Sequence, residues 1–231
     1  VDFTWKANGT LSATLPALGT SSHQVSLTVS DACGNLARKS VTISGTAATR
    51  FADMQKHWAS TYTTPLNDKG IISGVTANGK TNFLPDQKIT RGDFALMTAN
   101  WLGLDLSRYA GVSLPYADAA SIPKWDENAV KALYAEGIMQ GSKAGDGSLR
   151  ANAKASITRA EAMTILGRIL PQGYPQASLT AFSDAASVPS WSKDYVATLV
   201  ELKVVGGSNG KLDPNASVTR AEVAKMLFTL W

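Results

Sequence analysis

The fold is decided by a five-residue pattern that the chain contains three times. Its copies are Ile89-Thr90-Arg91-Gly92-Asp93, Ile157-Thr158-Arg159-Ala160-Glu161 and Val218-Thr219-Arg220-Ala221-Glu222, and an apolar run of helical periodicity follows each one. A threonine followed three residues later by an acidic side chain is a capping box, which marks the N-terminus of a helix. We therefore predict a helix at each copy, with a weaker box at Asp93 because its side chain is shorter.

Further landmarks precede each copy at a nearly constant spacing, so a longer unit repeats. Each unit has an aspartate two residues after an aromatic residue, then a tryptophan, and a glycine sixteen residues after that tryptophan. These residues are Asp53, Asp118 and Asp184; Trp58, Trp125 and Trp191; and Gly74, Gly141 and Gly207. We predict a second helix near each tryptophan. One two-helix unit is too small to bury its apolar stripe, so the three units are expected to pack together.

The repeats divide the chain into four predicted parts: 1–45, 46–113, 114–178 and 179–231. The first part alternates in polarity and contains a turn signal at 31–35, which predicts a β-hairpin with one or two further strands before it. The stretch 25–35, Val-Ser-Leu-Thr-Val-Ser-Asp-Ala-Cys-Gly-Asn, resembles the closing strands of an immunoglobulin-like domain of bacterial surface proteins. Four strands are fewer than the roughly seven of a complete β-sandwich. We expect such a domain to extend upstream, and its open edge is able to pair with another chain.

Composition excludes several classes of protein. Hydrophobic residues make up 44% of the 231 residues, enough to bury a core, while no apolar run reaches the length of about 18 residues that spans a membrane. The net charge of +4 comes from scattered basic residues, which argues against nucleic acid as a partner. With one cysteine, Cys33, and two histidines in no catalytic or metal-binding motif, we expect no enzyme activity, metal or cofactor.

The arginines of the pattern, Arg91, Arg159 and Arg220, are not explained by capping. At the first helical position a cation opposes the helix dipole by about 0.3–1 kcal/mol, which suggests a compensating partner. One interpretation is an external anion, held by the guanidinium at the helix N-terminus. The other is a structural ion pair with a carboxylate of a neighbouring copy, for which Asp53, Asp118 and Asp184 are the candidates. Both hold if the aspartate positions the arginine.

The tryptophans and glycines also allow two interpretations each. A tryptophan at the start of an amphipathic helix usually packs inward, so burial is the expectation, whereas an exposed indole would stack on a sugar ring. The glycines indicate turns with positive φ, or places where a ligand approaches the backbone.

The three copies resemble S-layer homology domains. The resemblance covers residues 51–231 and rests on the aromatic-x-Asp openings, the tryptophan-led helices, the segments Gly70–Gly74 and Gly137–Gly141, and the Thr-Arg-Ala-Glu motifs. It implies a mainly α, pseudo-threefold assembly with a central three-helix bundle and ligand grooves between adjacent copies. It also implies non-covalent anchoring of a surface protein to an anionic cell-wall polysaccharide, often one that carries pyruvate ketals.

By this resemblance, the three arginines grip the ligand carboxylate, and the three aspartates orient them or bind sugar hydroxyls. The tryptophans and the three glycines line the grooves. The first copy departs from the motif at Gly92 and Asp93, and the third has Lys203 where the others have Gly70 and Gly137, so we expect unequal grooves. The alternatives are a self-assembling structural module of a surface layer, or the non-catalytic tail of a surface hydrolase.

Overall fold

The computed structural model describes residues 2–5, 11–14, 22–30, 33–44 and 50–231. Before residue 45 it defines two antiparallel hairpins, in which β1 (Asp2–Trp5) pairs with β2 (Leu11–Thr14) and β3 (Ser22–Ser30) with β4 (Leu36–Ser44). The predicted hairpin and the two strands before it are confirmed. The immunoglobulin-like interpretation stays a prediction, and the predicted boundary at 45/46 lies outside the described residues.

Each repeat contains the two predicted helices. The outer helices, near the tryptophans, are α1 (Ser60–Asp68), α3 (Lys124–Ala135) and α5 (Lys193–Glu201), and the inner helices, at the Thr-Arg patterns, are α2 (Arg91–Trp101), α4 (Arg159–Ile169) and α6 (Arg220–Thr229). Short hairpins join them in the first two repeats: β5 (Val75–Ala77) with β6 (Lys80–Asn82), and β7 (Ser142–Lys143) with β8 (Leu149–Arg150). Single 3₁₀ turns occupy Leu106–Tyr109, Ala119–Ser121, Leu179–Ala181 and Ala185–Ser187. The fold is mainly α, as predicted, and no helix in the described ranges is both long and apolar enough to cross a membrane.

The inner helices begin at the predicted caps. The hydroxyls of Thr158 and Thr219 accept from the backbone N–H three residues on, and the glutamates reach back to complete both capping boxes. Thr90 accepts from the N–H of Asp93, but the Asp93 carboxylate accepts from the Thr90 hydroxyl instead of the backbone. The shorter acid therefore gives the weaker box that the sequence predicts.

The inner helices pack against outer helices of other repeats. Helix α2 lies against α3, α4 against α5, and α6 against α1, so each inner helix is covered by the next repeat and the third repeat returns to the first. Their apolar stripes join one hydrophobic core that includes Phe94, Met163 and Val223, all fully buried. The stripe that one repeat is too small to bury is thus covered by its neighbour.

A closed ring of hydrogen bonds joins the residues that precede the caps. Ile89 donates its N–H to Val218, Val218 donates to Ile157, and Ile157 donates to Ile89, each at an N···O distance of 3.1 Å. Because every member both donates and accepts, the three repeats are related by a pseudo-threefold axis at the N-terminal ends of the inner helices.

Candidate ligand grooves between the repeats

Two of the arginines form ion pairs with the capping glutamates of the next repeat. Arg91 Nη1 lies 2.8 Å from Glu161 Oε1, and Arg159 Nη1 lies 2.9 Å from Glu222 Oε1. Each pair joins an arginine to a carboxylate of a neighbouring repeat, as the structural interpretation expects, but the suggested partners Asp53, Asp118 and Asp184 are wrong. The hydrogen-bonded ring brings each helix N-terminus beside its neighbour, which places the capping acid within reach of the guanidinium.

The three aspartates bind backbone instead. Each carboxylate accepts two consecutive N–H groups at 2.7–2.8 Å, from Phe83 and Leu84, from Ala151 and Asn152, and from Leu212 and Asp213. The second residue of each pair has a positive φ, of 58°, 50° and 49°. Burial opposes the ionisation of Asp184, but its backbone hydrogen bonds and the charge of Lys211 together lower the pKa of that carboxyl.

One residue links each aspartate to an arginine, because it is hydrogen-bonded to both. The carbonyl groups of Phe83, Ala151 and Leu212 accept from Nε of Arg220, Arg91 and Arg159, at 2.8, 2.9 and 2.7 Å. The aspartate holds the N–H side of that residue and the arginine holds its C=O side. The aspartates therefore fix the loop that orients the guanidinium, without touching it.

The helix N-termini are already occupied by protein. The first two N–H groups of α2, on Arg91 and Gly92, donate to the carbonyls of Ala155 and Ala153, each at 2.9 Å. Helices α4 and α6 repeat this arrangement with the loops of the third and first repeats. The third N–H of each inner helix is capped by its threonine. These N–H groups are therefore not available to an anion, and the interpretation of an anion held at the helix N-terminus depends on the guanidinium and other side chains.

The predicted burial of the tryptophans is wrong. Trp58, Trp125 and Trp191 are 53%, 69% and 55% exposed. The next residue in each repeat faces the core instead: Ala59, Asp126 and Ser192. The inward stripe of the outer helix begins one residue later than the sequence suggests, which leaves more than half of each tryptophan exposed at the surface.

The three glycines follow the turn interpretation in part. Gly141 and Gly207 have φ of 72° and 70°, as predicted, but Gly74 is not among the glycines with positive φ, so that expectation is wrong for Gly74. All three pack against the aromatic residue that opens their repeat, because an added Cβ would lie 2.6–2.7 Å from Phe51, Tyr116 or Phe182. A side chain is excluded at each position by this contact.

Groove 1 is a cavity of about 330 Å³ that combines residues of all three repeats. Arg91 comes from the first repeat, Gly141 and Glu161 from the second, and Trp191 from the third. Lys143 and Arg168 add two cations, so three cationic side chains face one carboxylate. The groove favours an anion, and the exposed indole offers an apolar surface beside the charge.

Groove 2 has the same construction, shifted by one repeat. Its cavity of about 550 Å³ is lined by Arg159, by Gly207 and Glu222, and by Trp58 of the first repeat. Lys88, Lys225 and Asp213 also line it, so three cations face two carboxylates. The resemblance implies grooves between two adjacent copies, whereas both of these grooves draw on three.

Groove 3, which we define by symmetry from Arg220, Ser73, Gly74 and Trp125, differs from the other two. Arg220 Nη2 donates to the carbonyl of Ser73 at 2.9 Å, and the guanidinium carbon lies 4.8 Å from the centre of the Phe83 ring. Within the described ranges Arg220 forms no ion pair, because Asp93 is too short to reach it. Burial lowers the pKa of Arg220. The departures at Gly92 and Asp93 thus lie in the groove whose arginine is bound to backbone.

The basic residues that complete grooves 1 and 2 were not among the sequence-predicted site residues. Lys88, Lys143, Arg168 and Lys225 occur once each and not at corresponding positions of the other repeats. Because these residues do not recur between the repeats, the repeat pattern does not predict them. Among the described residues, no group of three or more His, Cys, Asp or Glu side chains is arranged to hold a metal ion.

Three tandem helical repeats, closed into a ring with charged grooves between them, define a repeat-built binding module. The chain belongs to the S-layer homology domain family, which matches residues 50–95, 115–163 and 181–224. S-layer homology domains are non-catalytic modules that associate with cell-wall polymers. The chain accordingly lies at the cell surface, in association with the cell wall.

Similar proteins include both surface-layer proteins and enzymes. The chain is 34% identical over 163 residues to a surface-layer 125 kDa protein of Lysinibacillus sphaericus, covering 69% of this chain and 13% of that protein. It is 32% identical over 186 residues to an amylopullulanase of Thermoanaerobacterium thermosulfurigenes, covering 78% of this chain and 9% of that enzyme. The S-layer protein sap of Bacillus anthracis is 27% identical over 171 residues, covering 74% and 20%. The chain thus spans a fifth or less of each of these proteins.

Proposed function

We propose that the chain anchors a surface protein by binding an anionic, pyruvylated cell-wall polysaccharide in grooves 1 and 2. The observation that carries the proposal is the pairing, in each groove, of a cationic cluster with an exposed tryptophan. A pyruvate ketal presents a carboxylate on a sugar ring, so its charge and its apolar face match these two neighbouring surfaces.

The arginines keep donors for such a ligand. In Arg91, Nε binds the carbonyl of Ala151 and Nη1 binds Glu161, and in Arg159 the same two nitrogens bind Leu212 and Glu222. Nη2 of both arginines has no acceptor in the described part of the chain. Because a guanidinium carries five N–H donors, each arginine that lines a groove keeps donors beyond those that these two contacts use.

The two grooves differ in strength. Groove 1 has three cations against one carboxylate and groove 2 has three against two, so we expect groove 1 to bind a carboxylate more tightly. Occupation of both by one polymer raises the overall affinity through effective concentration.

Calorimetric titration with purified wall polysaccharide, before and after chemical removal of pyruvate, tests the proposal. Trp191→Ala and Trp58→Ala remove the exposed indoles of grooves 1 and 2 without opening the core, and Trp125→Ala in groove 3 is the matched control. We expect each of the first two to weaken binding at least about fivefold, and the control to leave it unchanged. Binding that is indifferent to pyruvate removal and to all three variants would overturn the proposal.

The arginines are tested with the indoles. Arg91→Lys keeps the charge but removes the fixed fork of donors, and it is less disruptive than alanine at this buried position. We expect weaker binding, with the melting temperature as the check that the fold is intact. Arg220→Lys in groove 3 is the control and should leave affinity unchanged.

A second candidate is a structural role in a surface layer. It is favoured by the relatives named surface-layer and S-layer protein. Sedimentation velocity without polysaccharide separates the two functions, because a self-assembling module forms larger species as its concentration rises and an anchoring module does not. The amylopullulanase relative favours the remaining proposal, that the module is the non-catalytic part of a surface hydrolase.

A further inference from the structure

The seam between α1 and α6 carries a row of aromatic side chains, Trp58, Tyr62, Phe228 and Trp231, which we name the aromatic track. Successive ring centres are 6.2 Å apart from Trp58 to Tyr62, 5.4 Å from Tyr62 to Phe228, and 6.4 Å from Phe228 to Trp231. Each pair is in an edge-on arrangement. The row therefore runs without a break along the contact between the first and third repeats.

The track starts inside groove 2 and ends at the surface. Trp58 lines groove 2, as does Lys225 of α6. Tyr62 and Phe228 are half-buried and packed on the core, which fixes the middle of the row. Trp231 is 58% exposed, and the Lys69 ammonium lies 5.8 Å from its ring centre. A cation thus stands near each end of an apolar strip.

The other two seams lack this feature. At the positions equivalent to Tyr62, Phe228 and Trp231, the α2–α3 seam has Ala129, Ala99 and Leu102, and the α4–α5 seam has Tyr195, Gly167 and Leu170. Because the α2–α3 seam packs with no aromatic residue at these positions and the α4–α5 seam with only Tyr195, helix packing alone does not require three aromatic rings here.

We propose that the aromatic track is an extended subsite that binds the sugar residues next to the one held in groove 2, on the same polysaccharide chain. The proposal rests on the proposed function of groove 2. The strip is one ring wide, which suits a single carbohydrate chain with apolar ring faces and is narrow for a protein interface of about 800 Å² per partner. Its continuity with groove 2 through Trp58 identifies the polymer as the occupant, and Lys69 and Lys225 match its negative charge.

The proposal predicts a dependence on ligand length that belongs to groove 2. A single pyruvylated sugar contacts only the groove, whereas a longer fragment also contacts Tyr62, Phe228 and Trp231. The affinity of groove 2 should rise with fragment length. Groove 1 opens on the α4–α5 side, where Gly167 and Leu170 replace the rings, so its affinity should depend less on length.

The test compares two probes, a pyruvylated monosaccharide and length-fractionated oligosaccharides released from the purified wall polysaccharide. The double variant Phe228→Ala with Trp231→Leu installs the residues of the α2–α3 seam, a combination that this fold already accommodates. The single variant Trp231→Leu, at an exposed position, serves if the double variant does not fold. Trp125→Ala, which removes an exposed indole far from the track, is the control.

We expect groove 2 of the double variant to bind the long fragment about tenfold more weakly, and to bind the monosaccharide as groove 2 of the unchanged protein does. Equal binding of the long fragment by the variant and the unchanged protein overturns the track while leaving the groove function intact. Failure of the unchanged protein to bind either probe removes the groove function and the track with it. Light scattering on the same samples gives the third outcome: an oligomer that the double variant dissociates would assign the track to a second copy of the chain and overturn the proposal.

Discussion

At the scale of single residues, Asp126 departs most from its counterparts in the other repeats. It is buried where those repeats have Ala59 and Ser192, and its Oδ1 has no hydrogen-bond partner in the described ranges. Gly92 makes room for it, since an added Cβ would lie 2.2 Å from Asp126 Oδ2. Burial raises the pKa of Asp126 to about 7, and the negative charge of Asp93 adds to the rise.

This raised pKa predicts a pH-dependent stability. Between the ordinary value of 3.8 and about 7, the folded chain binds a proton at Asp126 that the unfolded chain releases. The free energy of unfolding should therefore fall as the pH rises through this window. We expect Asp126→Asn to remove most of that slope, measured by urea unfolding at pH 5 and pH 8. Equal slopes for the variant and the unchanged protein would contradict the assignment.

Lys203 also differs from its counterparts, because its backbone has a conformation that favours glycine. Its φ is 58°, where the equivalent Gly70 and Gly137 both have φ of 71°. A left-handed conformation costs an L-residue about 1–2 kcal/mol. Glycine avoids this cost, but it loses more conformational entropy on folding, so the net gain from a glycine is smaller. We expect Lys203→Gly to raise the free energy of unfolding by roughly 0.5–1 kcal/mol in urea titrations. Gly137→Lys is the reverse control, and a loss of stability in both variants would reject the explanation.

At the scale of elements, the capping glutamate shows what the sequence could and could not predict. The Thr158–Glu161 spacing predicted the helix start and the box. Glu161 Oε2 does accept the Thr158 N–H, but its Oε1 also binds Arg91. The sequence pattern predicts the local contact of one glutamate oxygen with the helix cap. It does not predict what the other oxygen binds in a different repeat. The arginine was therefore matched with the wrong acid.

The first repeat tests this double role, because it has Asp93 where the others have glutamate. We expect Asp93→Glu to complete the box on Thr90 and to reach Arg220, raising the free energy of unfolding by about 0.5–1 kcal/mol. Glu222→Asp makes the reverse change in the third repeat and should lower it by a similar amount, through loss of the contact with Arg159. Thermal unfolding of both variants checks the pair, and shifts of the same sign would show that the shared role is wrong.

Helix periodicity also predicted the six helices but not their partners. A stripe such as that of Met163 and Leu166 shows which face of α4 is buried, without showing that α5 of the next repeat covers it. The same limit explains the tryptophans, since a shift of one residue between Trp191 and Ser192 turns the indole outward. The repeats of the sequence predict that arginines, glycines and tryptophans line the grooves. That each groove takes these residues from three different repeats is visible only in the closed ring of the structure.

At the scale of the whole molecule, the ring makes the three repeats depend on each other. The bond from Ile89 to Val218 and the packing of α6 on α1 join the ends of the repeat array. In an open solenoid each repeat contacts only its sequence neighbours, so terminal repeats can unfold separately. Here each repeat has two neighbours and none is terminal.

The closed ring predicts uniform protection from hydrogen exchange. The amides of Ile89, Ile157 and Val218 donate in one cycle, and opening any repeat removes an acceptor and a helix contact from another. We expect these three amides to exchange with the same free energy, equal to that of global unfolding, in native-state exchange measured by NMR. Clearly lower protection at one of them would show that its repeat opens alone.

The assembly of the grooves from three repeats also sets the order in which they are completed along the chain. Groove 1 waits for Trp191, and groove 2 waits for Glu222 and Lys225 on α6. A chain that still lacks α6 already contains every residue that lines groove 1, whereas groove 2 lacks Glu222 and Lys225. Groove 2 is therefore completed only when the last inner helix packs on α1, after the residues of groove 1 are all in place.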